Sequence, residues 1–284
     1  MKIGLLLVGH KGVSVLKKIK DPSNIKFVLA YNDINTKDDS YDKIIELCGL
    51  YNIPFYSGKK IDETYLRMVD KIFVIGWQYL LDIDFDKLVV FHDSILPEYK
   101  GWAPTVNYLI EGRGYIGATA FKPTEIADTG MVYAQKKEYI KYPIKIEDAL
   151  NKISNIYSEL INFIIQNSPE PSCMDGDESF CLWRDNLDYF IDWSCTADRI
   201  KRFVDAVGYP YDGAKIKLGD KVLRVIDSEV IKGTVVNVNK HLGKVLRLDG
   251  GVPIVVCSEN LVKLTTVIDE SGNPYVFTNL KNRL

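Results

Sequence analysis

The residue best suited to acid–base chemistry in this chain is His92, one of only three histidines among 284 residues. It ends the apolar run KLVVFH, and it is followed by DSILPEYKGWAPT, a loop that two prolines stiffen. An imidazole has an unperturbed pKa of about 6.5 and can therefore exchange a proton near neutral pH. A lone histidine at the end of a strand is more often structural than catalytic, so a functional role needs support from the rest of the sequence.

The stretches before His92 predict a parallel α/β sheet that presents this residue at its edge. Four apolar runs, KIGLLLVG, IKFVLAYN, KIFVIGW and KLVVFH, are typical of buried strands, and helical patterns lie among them. Strands that alternate with helices imply right-handed parallel crossovers, and ligands of such sheets bind beyond the carboxyl ends of the strands. Residues 9–12 and 76–77 also follow strands. Together with His92 they predict a functional edge of the sheet.

The second half of the chain predicts a different, mostly β unit. A long helical pattern covers 145–167, and the Pro-, Gly- and acid-rich stretch from 168 to 179 breaks it. A helix is predicted in SCTADRIKRFVDAVG, followed by short strands with glycine turns, one of them over 233–239, as in a small barrel or sandwich. We therefore predict a first domain over 1–167, a linker with a helix over 168–213, and a small β-rich domain over 214–284.

Composition excludes several classes of function. The net charge of −2 and the pI of about 6.0 argue against a nucleic-acid binder that works by neutralising phosphates. The five cysteines are scattered without a CxxC pair, so the sequence predicts no metal site, no disulfide framework and a reducing, cytoplasmic setting. The N-terminal apolar run is too short to span a membrane and lacks a cleavage site, so we predict neither a membrane segment nor a signal peptide.

The stretch that begins at His92 carries an ordered set of residues. These are His92, Ser94, Leu96, Pro97, Tyr99, Gly101, Pro104, Gly117, Thr119, Asp128, Gly130 and Gln135. In type and order they resemble the motif of the folate-dependent formyltransferases, which use N10-formyltetrahydrofolate. A second set narrows the resemblance to the sugar-nucleotide N-formyltransferases. It comprises GWQYLL at 76–81, Arg184, Asp188, Ile191, Asp192, Trp193, Ile200, Pro210, Tyr211, Gly213 and Ala214. The likeness is good over residues 1–215 and loose in the β tail.

This resemblance implies a Rossmann-like catalytic domain that passes a formyl group from N10-formyltetrahydrofolate to the amine of a nucleotide-linked amino sugar. The implied setting is bacterial surface-polysaccharide synthesis (lipopolysaccharide O-antigen), and the implied assembly is a homodimer. His92 would be the acid/base or formyl-polarising group, with Asp128 as its partner. The folate would contact Trp77, Gln78, Tyr79, Leu81, Leu96, Glu125 and Asp128. The sugar nucleotide would contact His10, Lys11, Gly12, Ser94, Tyr99, Lys100 and Trp102.

One position departs from the family pattern. Two residues before the histidine the family has an asparagine, thought to orient the formyl oxygen and stabilise its growing charge, and this chain has Val90. Valine donates no hydrogen bond, and loss of one such donor typically lowers turnover by about 10²–10³. Either another donor replaces it, or activity is low, or the chain does not transfer formyl groups. Ser94, Asn107 and the backbone N–H groups near Gly101 are the candidate donors.

Other functions stay open on the sequence alone. A methionyl-tRNA formyltransferase would share the first domain, although the acidic pI counts against a tRNA ligand. An inactive relative that binds folate or a sugar nucleotide would explain Val90, and a hydrolase would pass the formyl group to water. The aromatic residues Trp77, Tyr79 and Trp102 are equally well explained by core packing. His10 and Lys11 are equally well explained by a solvated loop, and for Arg184 and Lys100 surface charge is a commoner explanation than contact with a phosphate.

Overall fold

The computed structural model describes residues 1–32, 40–79, 81–233 and 241–284. These residues divide into two units. The first consists of Met1–Thr105, Tyr115–Tyr139 and Ala149–Leu182, and the second of Val106–Gly114, Ile140–Asp148 and Trp183–Leu284.

Most strands of the first unit join one mixed sheet. Within the described residues its strands are β1 (Ile3–Leu7), β2 (Ile25–Ala30), β3 (Phe55–Ser57), β4 (Lys71–Ile75), β5 (Leu88–His92), β7 (Tyr115–Pro123), β8 (Gly130–Tyr139) and β9 (Ser172–Cys173), in the order β3-β2-β1-β4-β5-β7-β8-β9. In this order, the five neighbouring strands that begin with β3 and end with β5 pair in parallel. The pairs from β5 to β7, from β7 to β8 and from β8 to β9 are antiparallel. A separate parallel pair joins β6 (Lys100–Gly101) to β10 (Phe180–Cys181). The predicted α/β sheet is thereby confirmed.

The helices found in the described residues follow the predicted alternation. They are α1 (Gly9–Lys18), α2 (Ser40–Leu50), α3 (Glu63–Leu66), α4 (Pro104–Glu111), α5 (Ile146–Asn167) and α6 (Ala197–Ala206). Two of the caps are side chains of the expected kind. Asp62 accepts from the Thr64 N–H at the start of α3, and Thr196 accepts from the Arg199 N–H at the start of α6.

The centre of the main sheet is apolar because its strands are covered on both faces. All five residues of β1 are buried, as is every residue of β4 after Lys71. Register matters for the functional edge: Ile75, the last residue of β4, lies beside Phe91 of β5. Gly76 and Trp77 therefore leave the sheet at the level of His92, which places the two predicted strand ends side by side.

The second unit contains an antiparallel sheet, which confirms the predicted β-rich C-terminal part. Its described strands are β11 (Ala214–Leu218), β12 (Lys221–Ile231), β13 (Val245–Asp249), β14 (Val252–Val256) and β15 (Leu261–Ile268), in the order β11-β12-β15-β14-β13. The strand predicted over 233–239 falls, beyond Gly233, outside the described residues. The domain limits at 167 and 213 stay predictions. Over the described ranges, none of the helices has the length and apolar character needed to cross a membrane.

Candidate active site

His92 lies at the end of β5 with both ring nitrogens facing acceptors. The Nε2 atom is 2.9 Å from the backbone oxygen of Tyr99, and the Nδ1 atom is 3.4 Å from Oδ1 of Asp128. Only 10% of the His92 side chain is exposed, so the environment is largely shielded from water. The structure thus brings together the two residues expected to act as acid/base and partner, although they are far apart in the sequence.

Asp128 reaches the ring from the turn between β7 and β8. Thr124 and Thr129 close that turn through a backbone hydrogen bond of 3.1 Å, and Asp128 within it has a φ of +53°. Aspartate tolerates this left-handed conformation better than most residues. Its second oxygen, Oδ2, accepts from the Gly101 N–H at 2.7 Å. The carboxylate is therefore fixed on one side by backbone and directed at His92 on the other.

A buried threonine holds the start of the loop that follows β5. The Oγ1 of Thr119 on β7 donates to the backbone oxygen of Ser94 at 2.7 Å and accepts from the Leu96 N–H at 3.0 Å. Gln135 on β8 adds two contacts, since its Nε2 donates to Leu96 O at 2.7 Å and to Thr119 Oγ1 at 2.9 Å. These contacts explain why the loop leaves His92 in a defined direction.

The geometry fits a proton acceptor with its own counter-ion. Both ring nitrogens face an oxygen acceptor, the Tyr99 carbonyl at Nε2 and the Asp128 carboxylate at Nδ1. When the ring carries a proton on each nitrogen, the imidazolium has an acceptor on both sides, and the Asp128 carboxylate stabilises its charge. The arrangement can therefore collect a proton from a reacting group and release it again.

Asp93, the next residue in the chain, belongs to a different network. Its carboxylate is buried and accepts from the Lys11 ammonium of α1 and from the Tyr157 hydroxyl of α5. Burial alone would raise the pKa of Asp93, but the Lys11 charge and the hydrogen bonds outweigh it and hold that pKa below its ordinary value. Burial, aided by the Asp93 charge, raises the pKa of Tyr157 well above its usual range.

An aromatic cluster follows β4 at the same edge of the sheet. The Trp77 and Tyr31 rings meet edge to face with their centres 5.0 Å apart, and the centres of the Tyr79 and Tyr31 rings are 5.2 Å apart. The Lys59 ammonium lies 4.4 Å from the centre of the Tyr79 ring. The indole Nε1 of Trp77 is buried, and within the described parts of the chain it has no hydrogen-bond acceptor. Packing accounts for these rings only in part, because Tyr79 remains 44% exposed.

The other residues expected to bind folate occupy varied positions. Gln78 and Glu125 are exposed, Leu81 is half-buried and Leu96 is buried. Glu125 lies in the same turn as Asp128, so its carboxylate is presented near the functional edge.

The residues expected to bind a sugar nucleotide divide into exposed and engaged groups. His10 is exposed and Trp102 is 50% exposed, so both are accessible. Gly12 is buried, and the stretch 9–12, expected as a loop, forms the first turn of α1. Tyr99 is buried.

Three further members of this group already have partners in the chain. Lys11 pairs with Asp93, and the buried Lys100 donates to Oε1 of Glu178 at 2.6 Å. The Ser94 hydroxyl donates to the Glu98 oxygen at 2.6 Å.

Two of the donors considered as replacements for the family asparagine are engaged. The Ser94 hydroxyl donates to the Glu98 oxygen, and the Gly101 N–H is held by Asp128. The side-chain oxygen of Asn107 accepts from Arg184. Val90 itself is half-buried and packs against the apolar core of the sheet.

Sequence reasoning missed several residues that support the site. Thr119 and Gln135 were part of the quoted motif but received no role, and their spacing from the histidine was the available signal. Ser179 lies in the stretch interpreted as a linker, yet its hydroxyl accepts from the Tyr99 N–H at 2.7 Å. No sequence pattern marks that contact.

Two family models match this chain in succession. The model described as formyl transferase matches residues 65–161, which include His92 and Asp128, and the model described as formyl transferase, C-terminal domain, matches residues 185–283. Together they cover more than half of the chain.

Individual relatives agree with these models. Methionyl-tRNA formyltransferase of Thermosipho melanesiensis is 23% identical over 246 residues, which cover 84% of this chain and 80% of that protein. Among solved structures, WlaRD is a sugar 3N-formyl transferase studied with dTDP and 5-N-formyl-THF, and it matches with a TM-score of 0.65 at 18% identity. The match covers 95% of this chain and 97% of the WlaRD chain. The N-formyltransferase of Helicobacter canadensis, in complex with folinic acid and dTDP-3-aminofucose, has a TM-score of 0.64 at 16% identity and covers 97% of this chain and all of its own.

The chain is shorter than some of the proteins it resembles. It spans 44% of HypX from Aquifex aeolicus, with a TM-score of 0.62 at 15% identity. It likewise spans 39% of the bifunctional polymyxin resistance protein ArnA of Wigglesworthia glossinidia brevipalpis, with 26% identity over 262 residues. At these identities the solved structures establish the shared fold.

Proposed function

We propose, because the chain belongs to the formyl transferase family, that it transfers the formyl group of N10-formyltetrahydrofolate to the amine of a nucleotide-linked amino sugar. The observation that carries the proposal is the pair formed by His92 and Asp128 at the carboxyl edge of the sheet. That pair supplies the proton transfer that acylation of an amine requires.

The reaction sets clear demands on the site. The amine must be neutral and close to the formyl carbon. Its nitrogen forms the new C–N bond, the bond from the formyl carbon to N10 breaks, and the proton lost by the amine passes to N10. His92 takes that proton at Nδ1 and returns it to the leaving nitrogen, while Asp128 stabilises the imidazolium between the two steps. The folate supplies the activated formyl group.

The residues after β4 fit a folate. Trp77 has a buried N–H without an acceptor in the described chain, and Tyr79 presents a partly exposed ring for a flat heterocycle. Glu125, exposed in the turn that carries Asp128, offers a carboxylate to the amino and N–H donors of a pterin. These side chains would orient the donor so that its formyl group meets His92.

The sugar-nucleotide substrate is favoured by the extent of the likeness to two enzymes. The chain covers almost the whole length of WlaRD and of the Helicobacter canadensis enzyme, which were solved with dTDP and with dTDP-3-aminofucose respectively. The net charge of −2 agrees better with a small phosphate ester than with a polynucleotide. The exposed residues His10 and Trp102 are the first candidates for contact with the nucleotide.

The proposal is tested by supplying N10-formyltetrahydrofolate with a panel of dTDP-, UDP- and GDP-linked amino sugars. Tetrahydrofolate release is followed by absorbance, and the N-formyl product is identified by mass spectrometry. His92→Ala and Asp128→Ala should each abolish turnover with the fold intact, and His241→Ala, an exposed histidine of the second unit, is the matched control. Wild-type rates in both site variants would refute the assigned roles.

The other outcomes identify different functions. Formate released without any amine would indicate a hydrolase. Folate or sugar-nucleotide binding, measured as a thermal shift, without tetrahydrofolate release would indicate a relative that binds but does not transfer, as Val90 suggests.

A second candidate, formylation of methionyl-tRNA, is favoured by the relative from Thermosipho melanesiensis. Filter binding of initiator tRNA across a series of salt concentrations separates the two functions. A tRNA enzyme should bind tightly at low salt, with affinity that falls steeply as salt rises. The sugar-nucleotide enzyme should show no such binding.

We also propose that the chain works as a homodimer. Supporting this, the short stretch 180–187 exposes four large apolar side chains, those of Phe180, Leu182, Trp183 and Leu187. Light scattering should give the mass of a dimer for the wild type and of a monomer for the double variant Leu182→Glu, Trp183→Glu. A monomeric wild type would contradict the proposal.

A further inference from the structure

We propose that Ser179 is a positioning residue: through the Tyr99 backbone it holds the His92 ring in the orientation that faces Asp128. The inference rests on the proposed function for its catalytic meaning, but the contacts that carry it belong to the first unit alone. Within the described residues Ser179 makes no direct hydrogen bond to His92 or Asp128, so it acts through the loop that follows His92.

Ser179 contacts this loop at three points. Its Oγ accepts from the Tyr99 N–H at 2.7 Å, and its backbone oxygen accepts from the Lys100 N–H at 2.8 Å. Its own N–H donates to the Pro97 oxygen at 3.3 Å. One residue therefore fixes the backbone on both sides of Tyr99, the residue whose carbonyl meets the His92 ring.

The neighbours of Ser179 strengthen this attachment. The Trp102 N–H donates to the Cys181 oxygen at 2.9 Å, so β10 extends the contact along β6. On the other side, Glu178 accepts from the buried Lys100 ammonium at 2.6 Å. The segment from Glu178 to Cys181 thus acts as a brace for the loop after β5.

Tyr99 needs such a brace because its backbone is strained. Its φ is +56°, a left-handed conformation that bulky residues rarely adopt, and its side chain is buried. Strained conformations of this kind persist only where the surrounding contacts over-determine them. In this conformation the Tyr99 oxygen lies 2.9 Å from Nε2 of His92.

The orientation of that carbonyl decides how the His92 ring is held. With Tyr99 in place, Nε2 lies against its oxygen and Nδ1 faces Asp128. If the carbonyl turns away, the ring keeps a partner at Nδ1 only and can rotate away from its position beside Asp128. Loss of the Ser179 hydroxyl should therefore change the surroundings of both ring nitrogens.

The test compares Ser179→Ala, Ser179→Thr and the control Ser172→Ala, an exposed serine of β9. The first measurement is the pair of ring ¹⁵N shifts of His92, recorded at the pH of the activity assay. With three histidines in the chain, the His92→Gln variant identifies the signals. The second measurement is steady-state formyl transfer. Thermal unfolding establishes that each variant folds, and Glu178→Gln offers a milder change to the same brace.

We expect Ser179→Ala to shift the ring ¹⁵N signals of His92 from their wild-type positions and to lower kcat about ten-fold or more, with KM unchanged. Ser179→Thr, which keeps the hydroxyl, should restore both, Glu178→Gln should give a smaller change in the same direction, and Ser172→Ala should match the wild type. Unchanged His92 shifts in folded Ser179→Ala would overturn the inference. Shifted signals in a protein that transfers no formyl group would refute the proposed function and leave the inference standing.

Discussion

Replacement of Asp93 by alanine should destabilise the fold strongly without touching the proton-transfer pair. The Asp93 carboxylate is the acceptor for both the Lys11 ammonium and the Tyr157 hydroxyl. Its side chain is 7% exposed, and the Tyr157 side chain is also buried. Alanine leaves both donors in place with no acceptor.

The magnitude follows from what each donor loses. Removal of one member of a buried ion pair typically costs about 3–5 kcal/mol, and an unsatisfied buried hydroxyl costs about 1–3 kcal/mol. The two costs share one carboxylate and are not additive. Because a quarter of the Lys11 side chain is exposed, water recovers part of its loss. We therefore expect the free energy of unfolding to fall by about 3 kcal/mol.

Urea denaturation at pH 7 measures this loss as a shift in midpoint at constant slope. The matched control is Lys136→Met, which removes the exposed ion pair with Glu159 and should cost no more than about 1 kcal/mol. An Asp93→Ala variant that loses no more stability than this control would refute the assignment of Asp93 to a buried network.

The pH dependence gives the same prediction an independent check. The pKa of Asp93 lies below its ordinary value, so between the two values the unfolded chain binds more protons than the folded one. The stability that Asp93 contributes is fully present above about pH 4 and is lost as the pH falls through the lowered pKa. Asp93→Asn should therefore show a shallower loss of stability than the wild type as the pH falls below about 4.

Three further changes probe the site itself. Asp128→Asn keeps a side chain of the same shape but removes the counter-ion of His92, and kcat should fall about 10³-fold in the tetrahydrofolate assay, whereas a fall of less than ten-fold would contradict the proton-transfer role. Gly101→Ala places a Cβ about 2.3 Å from the Cys181 oxygen at a φ of +97°, so melting curves should show a clear loss of stability, and an unchanged melting temperature would show that the two segments are not in contact. Val90→Asn adds a donor on the strand that carries His92, and kcat should rise about ten-fold or more, whereas an unchanged kcat in the folded variant would assign the oxyanion to another group.

Much of the fold is predictable because a strand that is buried on both faces has an almost unbroken run of apolar residues in the sequence. The runs that form β1, β2, β4 and β5 are nearly continuous in apolar residues. The sequence does not mark the start of α1, for an equally physical reason. The residue before it is Val8, which provides no side-chain cap, so the usual Ser, Thr, Asp or Asn signal is missing. Tertiary packing starts the helix at Gly9 instead.

The candidate site also contains residues that the sequence predicts and residues that it does not. His92 and Asp128 could be predicted because their types and their places at the ends of strands indicate acid–base chemistry. The brace could not be predicted, because the Ser179 hydroxyl meets the backbone N–H of a residue 80 positions away in the sequence. Nor does any propensity predict a left-handed tyrosine, which exists only because its surroundings impose it.

The neighbours His92 and Asp93 illustrate why adjacent residues can serve separate purposes. Side chains alternate in direction at a strand end, and here one meets Asp128 while the other meets Lys11 and Tyr157. The consequence is a separation of effects: His92→Ala should remove turnover at little cost in stability, and Asp93→Asn should lower stability while the folded fraction keeps its kcat. If Asp93→Asn instead lowers kcat as far as His92→Ala does, in protein shown by its melting curve to be folded, then the two networks are one, and the proton path extends through the sheet to Lys11.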